Sequence, residues 1–489
     1  MNITDYLFSY SKGLNKNLIL GPKEQMPYKA IYANICNIAG WLRKQNIKKG
    51  EKILLHSDNS IFFILCYFGI IKSGLTCVPI DVKTNEKNLD LILNSCDIKF
   101  GFIQSKWLYK YNNYNFVKIA DLEDLDFSEN VEYDSISTIT DIDENNDVAV
   151  IIFTSGSTGD VKGVMLSHSN IQYNTESIVE YLNLKEYDIH QVVLPFYYCF
   201  GASLLHTHVL IGGSLVINNE FIFPNTVPEL IEKYGCTGIS GVPSVFQILC
   251  RKSSFKSFPM PSLRFMAQAG GFLPVPFIKE LINAFPDKEL FIMYGQTEAT
   301  ARLSYLPSKY LETKIGSIGK GIPGVNLEVL GEDGLHVQPG QEGEIVATGL
   351  NIMLGYYKDD KLTNKKIIKG KLYTEDLAKI DDDGFIYITG RKSTIIKSAG
   401  YRISPKEIEN IISELPEVQE IAVIGIDDAI NGESLKAIIV TNKKNNLSKE
   451  TVIKCCRDNL PEYKVPKRIE FVIDLPKNSS GKILYHKLT

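Results

Sequence analysis

Short apolar runs alternate with stretches of helical periodicity through the first half of the chain. Residues 50–57 (GEKILLHS) and 75–81 (LTCVPID) have the length and composition of buried strands, and residues 61–73 between them have the pattern of a buried helix. Strand-like runs then recur at 147–155, 191–196, 213–218 and 289–295. This alternation predicts parallel sheets with helices on both faces.

The pattern changes near residue 316. From there, short β-prone runs are separated by Asp333-Gly334 and Asp383-Gly384, dipeptides that are typical of tight turns in antiparallel hairpins. Residues 316–390 are therefore predicted to form a small β-rich, barrel-like unit.

A third pattern occupies the end of the chain. An amphipathic helix is predicted at 405–415 and a second helix at 449–460, with strand-like runs between them. We therefore predict a mixed α/β fold with two domains. The first, residues 1–392, consists of doubly wound sheets plus the β-rich unit, and the second, residues 393–489, is a small α+β domain.

Composition narrows the functional class. The chain has 489 residues with a net charge of −4, which predicts no extended field for a nucleic-acid partner. The longest apolar run, 61–71, is shorter than the ~20 residues of a transmembrane helix, and the polar start predicts no signal peptide. Nine cysteines without a Cys-x-x-Cys pair favour a reducing compartment, the cytoplasm, over a disulfide framework or zinc site.

A loop rich in glycine and hydroxyl groups, TSGSTGDVKG, follows the strand predicted at 147–155. Its glycines let backbone N–H groups point toward one anion, its hydroxyls add donors, and its lysine adds a charge, so the loop suits a polyphosphate. The spacing differs from that of a P-loop, and ordinary surface loops have a similar composition. The candidate binding residues are Thr154, Ser155, Gly156, Ser157, Thr158, Gly159 and Lys162.

A second candidate site lies at the end of the strand predicted at 289–295. Here Tyr294 could stack on a base, Thr297 could reach a phosphate, and the carboxylate of Glu298 could hold Mg²⁺. A core tyrosine at a strand-to-loop junction is the simpler alternative.

Two further segments carry charges that suit a nucleotide. Asp376 could accept hydrogen bonds from ribose hydroxyls with support from Arg391, although an ordinary surface ion pair fits the same residues. Lys482 stands on a Gly-rich loop near the chain end, where a solvated charge is the common alternative.

Two other patterns do not indicate a binding site. Residues 319–324 match G-x-G-x-x-G, but hairpin signals follow them, so the strand–loop–helix setting of a dinucleotide site is missing. His206 and His208 have no third ligand at a recognisable spacing, so we predict structural histidines rather than a metal site.

Taken together and in this order, the segments resemble the adenylate-forming superfamily, which includes acyl- and aryl-CoA synthetases, peptide-synthetase adenylation domains and firefly-type luciferases. The resemblance covers nearly the whole chain. It implies that ATP and Mg²⁺ activate a carboxylic acid as an acyl-adenylate with release of pyrophosphate. The acyl group would then pass to the thiol of coenzyme A or of a carrier protein's phosphopantetheine, as in an AMP-forming acid–thiol ligase.

The resemblance also implies a role for each candidate residue. Loop 154–162 would bind the β- and γ-phosphates, and Thr297 would contact the α-phosphate. Glu298 would bind Mg²⁺, and Asp376 and Arg391 would hold the ribose. Adenine would be enclosed by Ala269, Gly270, Gly271 and Tyr294. Lys482 would bridge the carboxylate and the α-phosphate during adenylation. A mobile C-terminal domain would later rotate about a hinge at Ser393 and present residues 400–403 to the thiol.

Three positions depart from the family pattern. Val161 replaces a usual proline, Ser393 replaces a usual Asp or Lys, and Tyr198 stands where histidine is frequent. These changes predict a looser phosphate loop and a differently tuned domain rotation.

The acid pocket is predicted from a few positions, namely Tyr198, Phe200, Gly201, Gly241 and Val242. Amino-acid-activating relatives usually carry Asp where this chain has Gly201. A buried ammonium without a partner is costly, so an acyl or aryl acid is favoured. The alternative is a freestanding amino-acid adenylation enzyme that loads a peptidyl carrier protein. A regulator without turnover would have lost Lys482 or Glu298, and no residue supports luciferase-type oxidation.

Overall fold

The computed structural model describes residues 1–122, 141–155, 161–398, 400–428, 432–441, 447–478 and 481–488. The α-helices in these ranges are α1 (Ile3–Leu7), α2 (Tyr28–Lys44), α3 (Ile61–Lys72), α4 (Glu86–Cys96), α5 (His168–Tyr181), α6 (Cys199–Ile211), α7 (Thr226–Tyr234), α8 (Pro243–Lys252), α9 (Val275–Ala284), α10 (Asp360–Lys366), α11 (Pro405–Ile412) and α12 (Lys449–Asn459).

The strands in the same ranges are β1 (Asn17–Ile19), β2 (Met26–Pro27), β3 (Lys52–His56), β4 (Thr76–Pro79), β5 (Phe100–Ile103), β6 (Val117–Ile119), β7 (Val148–Ser155), β8 (Val161–Ser167), β9 (Ile189–Val192), β10 (Ser214–Ile217), β11 (Gly238–Gly241), β12 (Phe265–Gln268), β13 (Glu289–Tyr294), β14 (Ser304–Leu306), β15 (Lys320–Gly321), β16 (Val325–Leu330), β17 (Glu342–Gly349), β18 (Gly355–Tyr356), β19 (Ile367–Ile368), β20 (Lys371–Ile380), β21 (Ile386–Arg391), β22 (Ile396–Ser398), β23 (Tyr401–Ile403), β24 (Val418–Asp428), β25 (Gly432–Thr441) and β26 (Arg468–Val472).

Two large sheets form the N-terminal part of the molecule. One has nine strands in the order β15-β14-β13-β12-β11-β9-β10-β1-β2, and the other has seven in the order β18-β8-β7-β4-β3-β5-β6. The central strands of both sheets are parallel, and antiparallel strands are added at their edges. The mixed α/β architecture predicted from the sequence is confirmed.

Helix α3 shows how the apolar runs are used. Ser60 caps it by accepting a hydrogen bond from the N–H of Phe63, and nearly every side chain of the helix is buried. Lys72 ends the run and forms an ion pair with Asp5 inside the protein. No helix within the described residues is both long and apolar enough to cross a membrane.

The strand predicted at 191–196 is shorter than expected. β9 ends at Val192, and the chain then leaves the sheet because Pro195 has no N–H to donate to a strand ladder. Asn59 holds the departing loop from both sides. Its side-chain amide donates to the carbonyl of Leu194 at 2.8 Å and accepts from the N–H of Phe196 at 2.7 Å.

The hairpins predicted after residue 316 are confirmed. β16, β17, β20 and β19 form an antiparallel sheet, and β21 pairs with β20. Gly334 and Gly384 occupy the hairpin turns with φ values of +77° and +80°, a conformation that glycine adopts readily. Residues 319–324 enter β15 and a turn before β16, so they do not form a dinucleotide loop.

The C-terminal domain is a small α+β unit, as predicted. Its sheet has the order β23-β22-β25-β24, with β26 parallel to β25. α11 packs on β24, and α12 packs on α11. It has its own hydrophobic core, which includes Ile408, Val423 and Val452. The predicted boundary and hinge, Ser393, lies in an exposed turn between β21 and β22. All nine cysteines of the chain are free thiols.

Candidate active site

The ends of β13 and β21 and the middle of β20 bring three predicted residues together. Asp376 and Arg391 are direct partners across the antiparallel pair, with Arg391 Nε 3.8 Å from Asp376 Oδ1. The hydroxyl of Tyr294 donates to Asp376 Oδ2 at 2.7 Å. Burial raises the pKa of Tyr294 well above its ordinary value, so the phenol stays protonated and acts as a donor.

The turn after β13 carries Thr297 and Glu298. Tyr356 donates its hydroxyl hydrogen to Glu298 Oε1 at 2.6 Å, and Cys199 Sγ lies 3.5 Å from Thr297 Oγ1. The sequence predictions missed both Tyr356 and Cys199. Only their places in the sequence could have indicated them. Cys199 lies beside the predicted pocket residues Tyr198 and Phe200, and Tyr356 lies between the segments that carry Glu298 and Asp376.

Lys482 extends from the C-terminal domain into this same cleft. Desolvation lowers the pKa of Lys482, and the nearby Arg391 guanidinium acts in the same direction. The carboxylates of Asp376 and Glu298 oppose that shift. The side chain itself stays accessible to solvent, so the ammonium lies in an open cleft surrounded by protein rather than in a closed interior.

Contacts on both sides of Lys482 position its loop. The N–H of Lys482 donates to Asn478 Oδ1 at 2.9 Å, and Gly481 takes a φ of +83°. Ser244, near the start of α8 in the N-terminal domain, donates to the carbonyl of Gly481 at 2.8 Å. A Cβ at Gly481 would lie 2.7 Å from Ser244 Oγ, so glycine permits this close approach between the domains.

The predicted phosphate loop joins β7 to β8. Thr154 and Lys162 are register partners in this hairpin, so the two ends of the loop are adjacent. The residues at its tip (Gly156, Ser157, Thr158 and Gly159) lie outside the described residues, as does the side chain of Ser155.

The segment 269–271 lies directly after β12. Gly270 has a φ of +83°, and Gln268 Nε2 donates to the carbonyl of Gly271 at 2.9 Å. A Cβ at Gly270 would lie 3.0 Å from Cγ1 of Val242, which follows Gly241 at the end of β11. The predicted adenine segment and two of the predicted pocket residues are therefore neighbours.

The other pocket candidates lie at the start of α6. Tyr198 donates its hydroxyl hydrogen to Asp81 Oδ2 at 3.1 Å. A Cβ at Gly201 would lie only 1.9 Å from the carbonyl oxygen of Pro195, so this backbone leaves no room for a side chain there. The ring of Phe200 lies 3.9 Å from the guanidinium carbon of Arg302, a buried residue that the sequence predictions did not include.

His206 and His208 lie in the protein interior. His206 Nε2 hydrogen-bonds with the hydroxyl of Tyr67 at 2.9 Å, and His208 Nδ1 with the carbonyl of Leu204 at 2.9 Å. Burial lowers the pKa of His206 to about 3 and that of His208 to about 4, so both rings are neutral. The described part of the chain contains no group of three or more His, Cys, Asp or Glu side chains arranged for a metal ion.

Residues 400–403 form a loop and strand of the C-terminal domain. Gly400 has a φ of +83°, and Tyr401 stacks on Tyr463 with ring centroids 4.0 Å apart. Arg402 lies 3.8 Å from Glu332, in the hairpin turn between β16 and β17. In this arrangement Lys482 lies in the cleft, whereas Tyr401 and Arg402 contact Tyr463 and Glu332.

Comparison with known proteins identifies the family. The AMP-binding enzyme family matches residues 11–357, and the AMP-binding enzyme C-terminal domain matches residues 407–482. The chain is 36% identical to a long-chain-fatty-acid–CoA ligase of Escherichia coli O157:H7, over 70% of this chain and 61% of that enzyme. It is 28% identical to a 2-succinylbenzoate–CoA ligase of Bacillus licheniformis, over 92% of this chain and 91% of that enzyme.

A solved structure shares the whole fold. The o-succinylbenzoate CoA synthetase of Bacillus subtilis, in complex with its acyl-adenylate intermediate, superposes with a TM-score of 0.87 and 24% identity, covering 100% of this chain and 98% of that one. The chain therefore belongs to the adenylate-forming family of AMP-binding enzymes, as its motifs indicate, and is an AMP-forming acid–thiol ligase.

Proposed function

We propose that the protein catalyses two half-reactions in one cleft. In the first, a carboxylate oxygen of the acid attacks the α-phosphorus of ATP, and the bond to the β-phosphate oxygen breaks to give acyl-adenylate and pyrophosphate. In the second, a thiol loses its proton and its sulfur attacks the acyl carbon, which gives a thioester and AMP. The observation that carries this proposal is the position of Lys482 beside Asp376, Glu298 and Arg391.

Lys482 acts in the first half-reaction. Two anions, the carboxylate and the triphosphate, must approach each other, and such displacements depend on positioning and charge neutralisation. An ammonium between them supplies both, and Thr297 holds the α-phosphate through its hydroxyl. Lys162 and the loop 154–162 bind the β- and γ-phosphates that depart as pyrophosphate.

Glu298 fits a magnesium ion bound together with ATP. Mg²⁺ is usually held by one or two carboxylates plus substrate phosphates, and Glu298 offers a carboxylate next to Thr297. Tyr356 fixes one of its oxygens at 2.6 Å. When bound, Mg²⁺ would neutralise negative charge on the phosphates.

The nucleoside is held by the predicted ribose and adenine residues. Asp376 accepts from the ribose hydroxyls, and Arg391 lies beside it. Ala269, Gly270, Gly271 and Tyr294 enclose adenine. The hydrogen bond from Tyr294 to Asp376 supports this assignment because it fixes the carboxylate before the ribose arrives.

Coenzyme A is the proposed acceptor, because the relatives named above are CoA ligases. After adenylation the C-terminal domain would turn about Ser393, withdraw Lys482 and bring residues 400–403 to the thiol. Domain rotation of this kind also keeps water away from a labile mixed anhydride. The free cysteines support a reducing compartment, the cytoplasm.

A carrier protein's phosphopantetheine presents the same thiol and is the second candidate acceptor. Thioester formation measured from acyl-adenylate with coenzyme A and, separately, with a pantetheinylated carrier protein decides between the two.

The acid is proposed to be an acyl or aryl acid rather than an amino acid. The named relatives act on a long-chain fatty acid and on 2-succinylbenzoate. The absence of an acidic residue at Gly201 agrees with this class, and exchange activity with amino acids would support the amino-acid alternative instead.

The test is ATP–pyrophosphate exchange over a panel of fatty, aromatic and amino acids, with Lys482→Ala as the variant. We expect acid-dependent exchange in the natural protein and a loss of about 100-fold or more in the variant, because a charge made for the transition state is removed. Lys487→Ala, an exposed lysine of the same tail, serves as the control. Undiminished exchange in Lys482→Ala would show that the assignment of Lys482 is wrong.

A further inference from the structure

Arg302 is a buried cation next to the predicted acid pocket. Its side chain is 2% exposed, and it follows the turn that carries Thr297 and Glu298. The guanidinium carbon lies 3.9 Å from the centre of the Phe200 ring. Its nitrogens donate to Met293 Sδ at 3.4 Å and to the carbonyl of Ala301 at 3.3 Å. Tyr181 is a further neighbour, since Arg302 acts to lower the pKa of that phenol through its charge and a hydrogen bond.

These contacts leave the charge of Arg302 without a counter-ion. An arginine stays protonated in proteins, and a buried charge is costly unless it is paired. Within the described residues, no carboxylate forms an ion pair with Arg302. The other buried cations among the described residues have a carboxylate partner. Lys72 forms an ion pair with Asp5, and Lys366 Nζ lies 3.0 Å from Glu375 Oε2.

The position of Arg302 relates it to the reacting groups. Phe200, which it contacts, follows Cys199, and Cys199 Sγ lies 3.5 Å from Thr297 Oγ1. The backbone of Arg302 is fixed, because its carbonyl accepts from Asn351 Nδ2 at 2.8 Å and from Asn174 Nδ2 at 3.2 Å. Arg302 and Thr297 therefore contact two adjacent residues at the start of α6, Phe200 and Cys199 respectively.

We propose that Arg302 binds a second anionic group of the acid substrate, so that the preferred substrates are dicarboxylic acids. One carboxylate reacts at the α-phosphate, and the distal carboxylate pairs with Arg302, whose planar fork matches a carboxylate in two hydrogen bonds. This inference rests on the proposed function and names the substrate class of the same site. The competing explanation is a core cation stabilised only by Phe200 and the neighbouring acceptors.

The first test uses the natural protein alone. ATP–pyrophosphate exchange is measured with pairs of acids that share a carbon chain or a ring and differ in the second carboxylate, such as hexanoate with adipate and benzoate with phthalate. We expect kcat/KM to be at least about tenfold higher for the dicarboxylate in at least one pair, because a desolvated ion pair discriminates strongly against a ligand that leaves the cation unpaired. The absence of such a preference in every pair overturns the proposal.

The second test removes the charge. In Arg302→Met, kcat/KM for the preferred dicarboxylate is expected to fall about 100-fold, whereas that for its monocarboxylate partner changes less than about threefold. Arg302→Lys keeps a charge and should retain part of the preference. Arg251→Met is the matched control, because Arg251 also lies over a phenylalanine, Phe277, at 4.6 Å but pairs with Glu280. Its dicarboxylate preference should not change.

Equal losses on both members of a pair in Arg302→Met, with a thermal melting curve like that of the natural protein, identify a core cation and overturn the proposal. If Arg302→Met does not fold, the comparison of acid pairs on the natural protein decides alone. Failure of the proposed function is distinct from these results, since it gives no exchange with any acid and no binding of ATP.

Discussion

At the scale of single residues, the hydrogen bond between Tyr356 and Glu298 links the proposed metal ligand to the sheet. Burial raises the pKa of Tyr356 far above its ordinary value, and the negative charge of Glu298 raises it further, so the phenol always acts as the donor. Tyr356 is 2% exposed and lies in β18, which pairs with β8 at the edge of the seven-stranded sheet. The orientation of Glu298 therefore depends on a residue that does not itself carry the chemistry.

Tyr356→Phe is expected to weaken the use of Mg²⁺ more than the chemical step. Removing a group that orients a metal ligand typically costs 10- to 100-fold in metal affinity, so the Mg²⁺ concentration for half-maximal exchange should rise by about tenfold. Exchange measured against Mg²⁺ concentration at saturating ATP checks this. Tyr357→Phe, at the next residue, is the control, and an unchanged Mg²⁺ dependence in Tyr356→Phe would contradict the role.

The motif residues could be predicted from the sequence, but their partners could not. Tyr294, Thr297 and Glu298 lie within five residues of one another at the end of an apolar run, so the sequence pattern finds them. Tyr356 lies 58 residues from Glu298 along the chain, and only the paired strands bring the two together. A contact between residues this far apart along the chain leaves no local pattern in the sequence.

Gly201 shows a different limit. In the sequence, the absence of Asp at this position indicates a substrate without an α-amine. The structure gives glycine a packing reason as well, because a Cβ would lie 1.9 Å from the carbonyl oxygen of Pro195. The glycine therefore carries less information about an α-amine than the sequence comparison suggests, and Arg302 carries more about the acid.

At the scale of elements, continuous apolar runs predict the ranges of buried strands. They do not predict where a strand ends when a residue far away in the sequence determines that end. β7 and β13 agree with their predicted ranges because buried parallel strands consist of such runs. The run 191–196 looks similar, yet Asn59 holds its second half in a loop from 137 residues away. Local composition cannot anticipate that side chain.

Helix α11 carries a buried carboxylate on its inner face. Glu409 Oε1 accepts from the N–H of Val423 at 2.8 Å and from the hydroxyl of Tyr485 at 3.1 Å. Burial raises the pKa of Glu409 from 4.5 to about 7 even though both hydrogen bonds favour the charged form. The carboxyl group therefore connects α11, β24 and the end of the chain, and it titrates near neutral pH.

Glu409→Gln is expected to remove a pH dependence of stability. Between pH 4.5 and 7 the folded protein keeps the Glu409 proton and the unfolded chain releases it, so the free energy of unfolding falls as pH rises through this window and is level above it. Glutamine has no such titration. The variant should be more stable than the natural protein at pH 8, by about 3 kcal/mol at most, with little difference near pH 4.5.

Urea unfolding of the full chain at pH 5 and pH 8 measures this difference. Glu414→Gln, an exposed residue just beyond the same helix, should show no such change between the two pH values. Equal effects of Glu409→Gln at both pH values would mean that Glu409 does not titrate in this range.

At the scale of the whole molecule, contacts between the domains hold Lys482 in the cleft. Asn410 Oδ1 accepts from the N–H of Val275 at the start of α9 at 3.1 Å, and Lys406 lies 4.7 Å from the ring of Phe272. Burial lowers the pKa of Lys406 to about 8, although Asp376 and Glu409 both act to raise it. α11 thus contacts the N-terminal domain next to the segment proposed to bind adenine.

These contacts should favour one half-reaction only. If the C-terminal domain turns between the two steps, the hydrogen bond from Val275 to Asn410 stabilises the adenylation arrangement alone. Asn410→Ala removes about 1 kcal/mol of that stabilisation, so acid-dependent pyrophosphate exchange should slow about fivefold. Thioester formation from preformed acyl-adenylate should be unchanged or faster. Asn459→Ala, at the far helix α12, should change neither step, and an equal slowing of both steps by Asn410→Ala would indicate a single fixed arrangement of the domains.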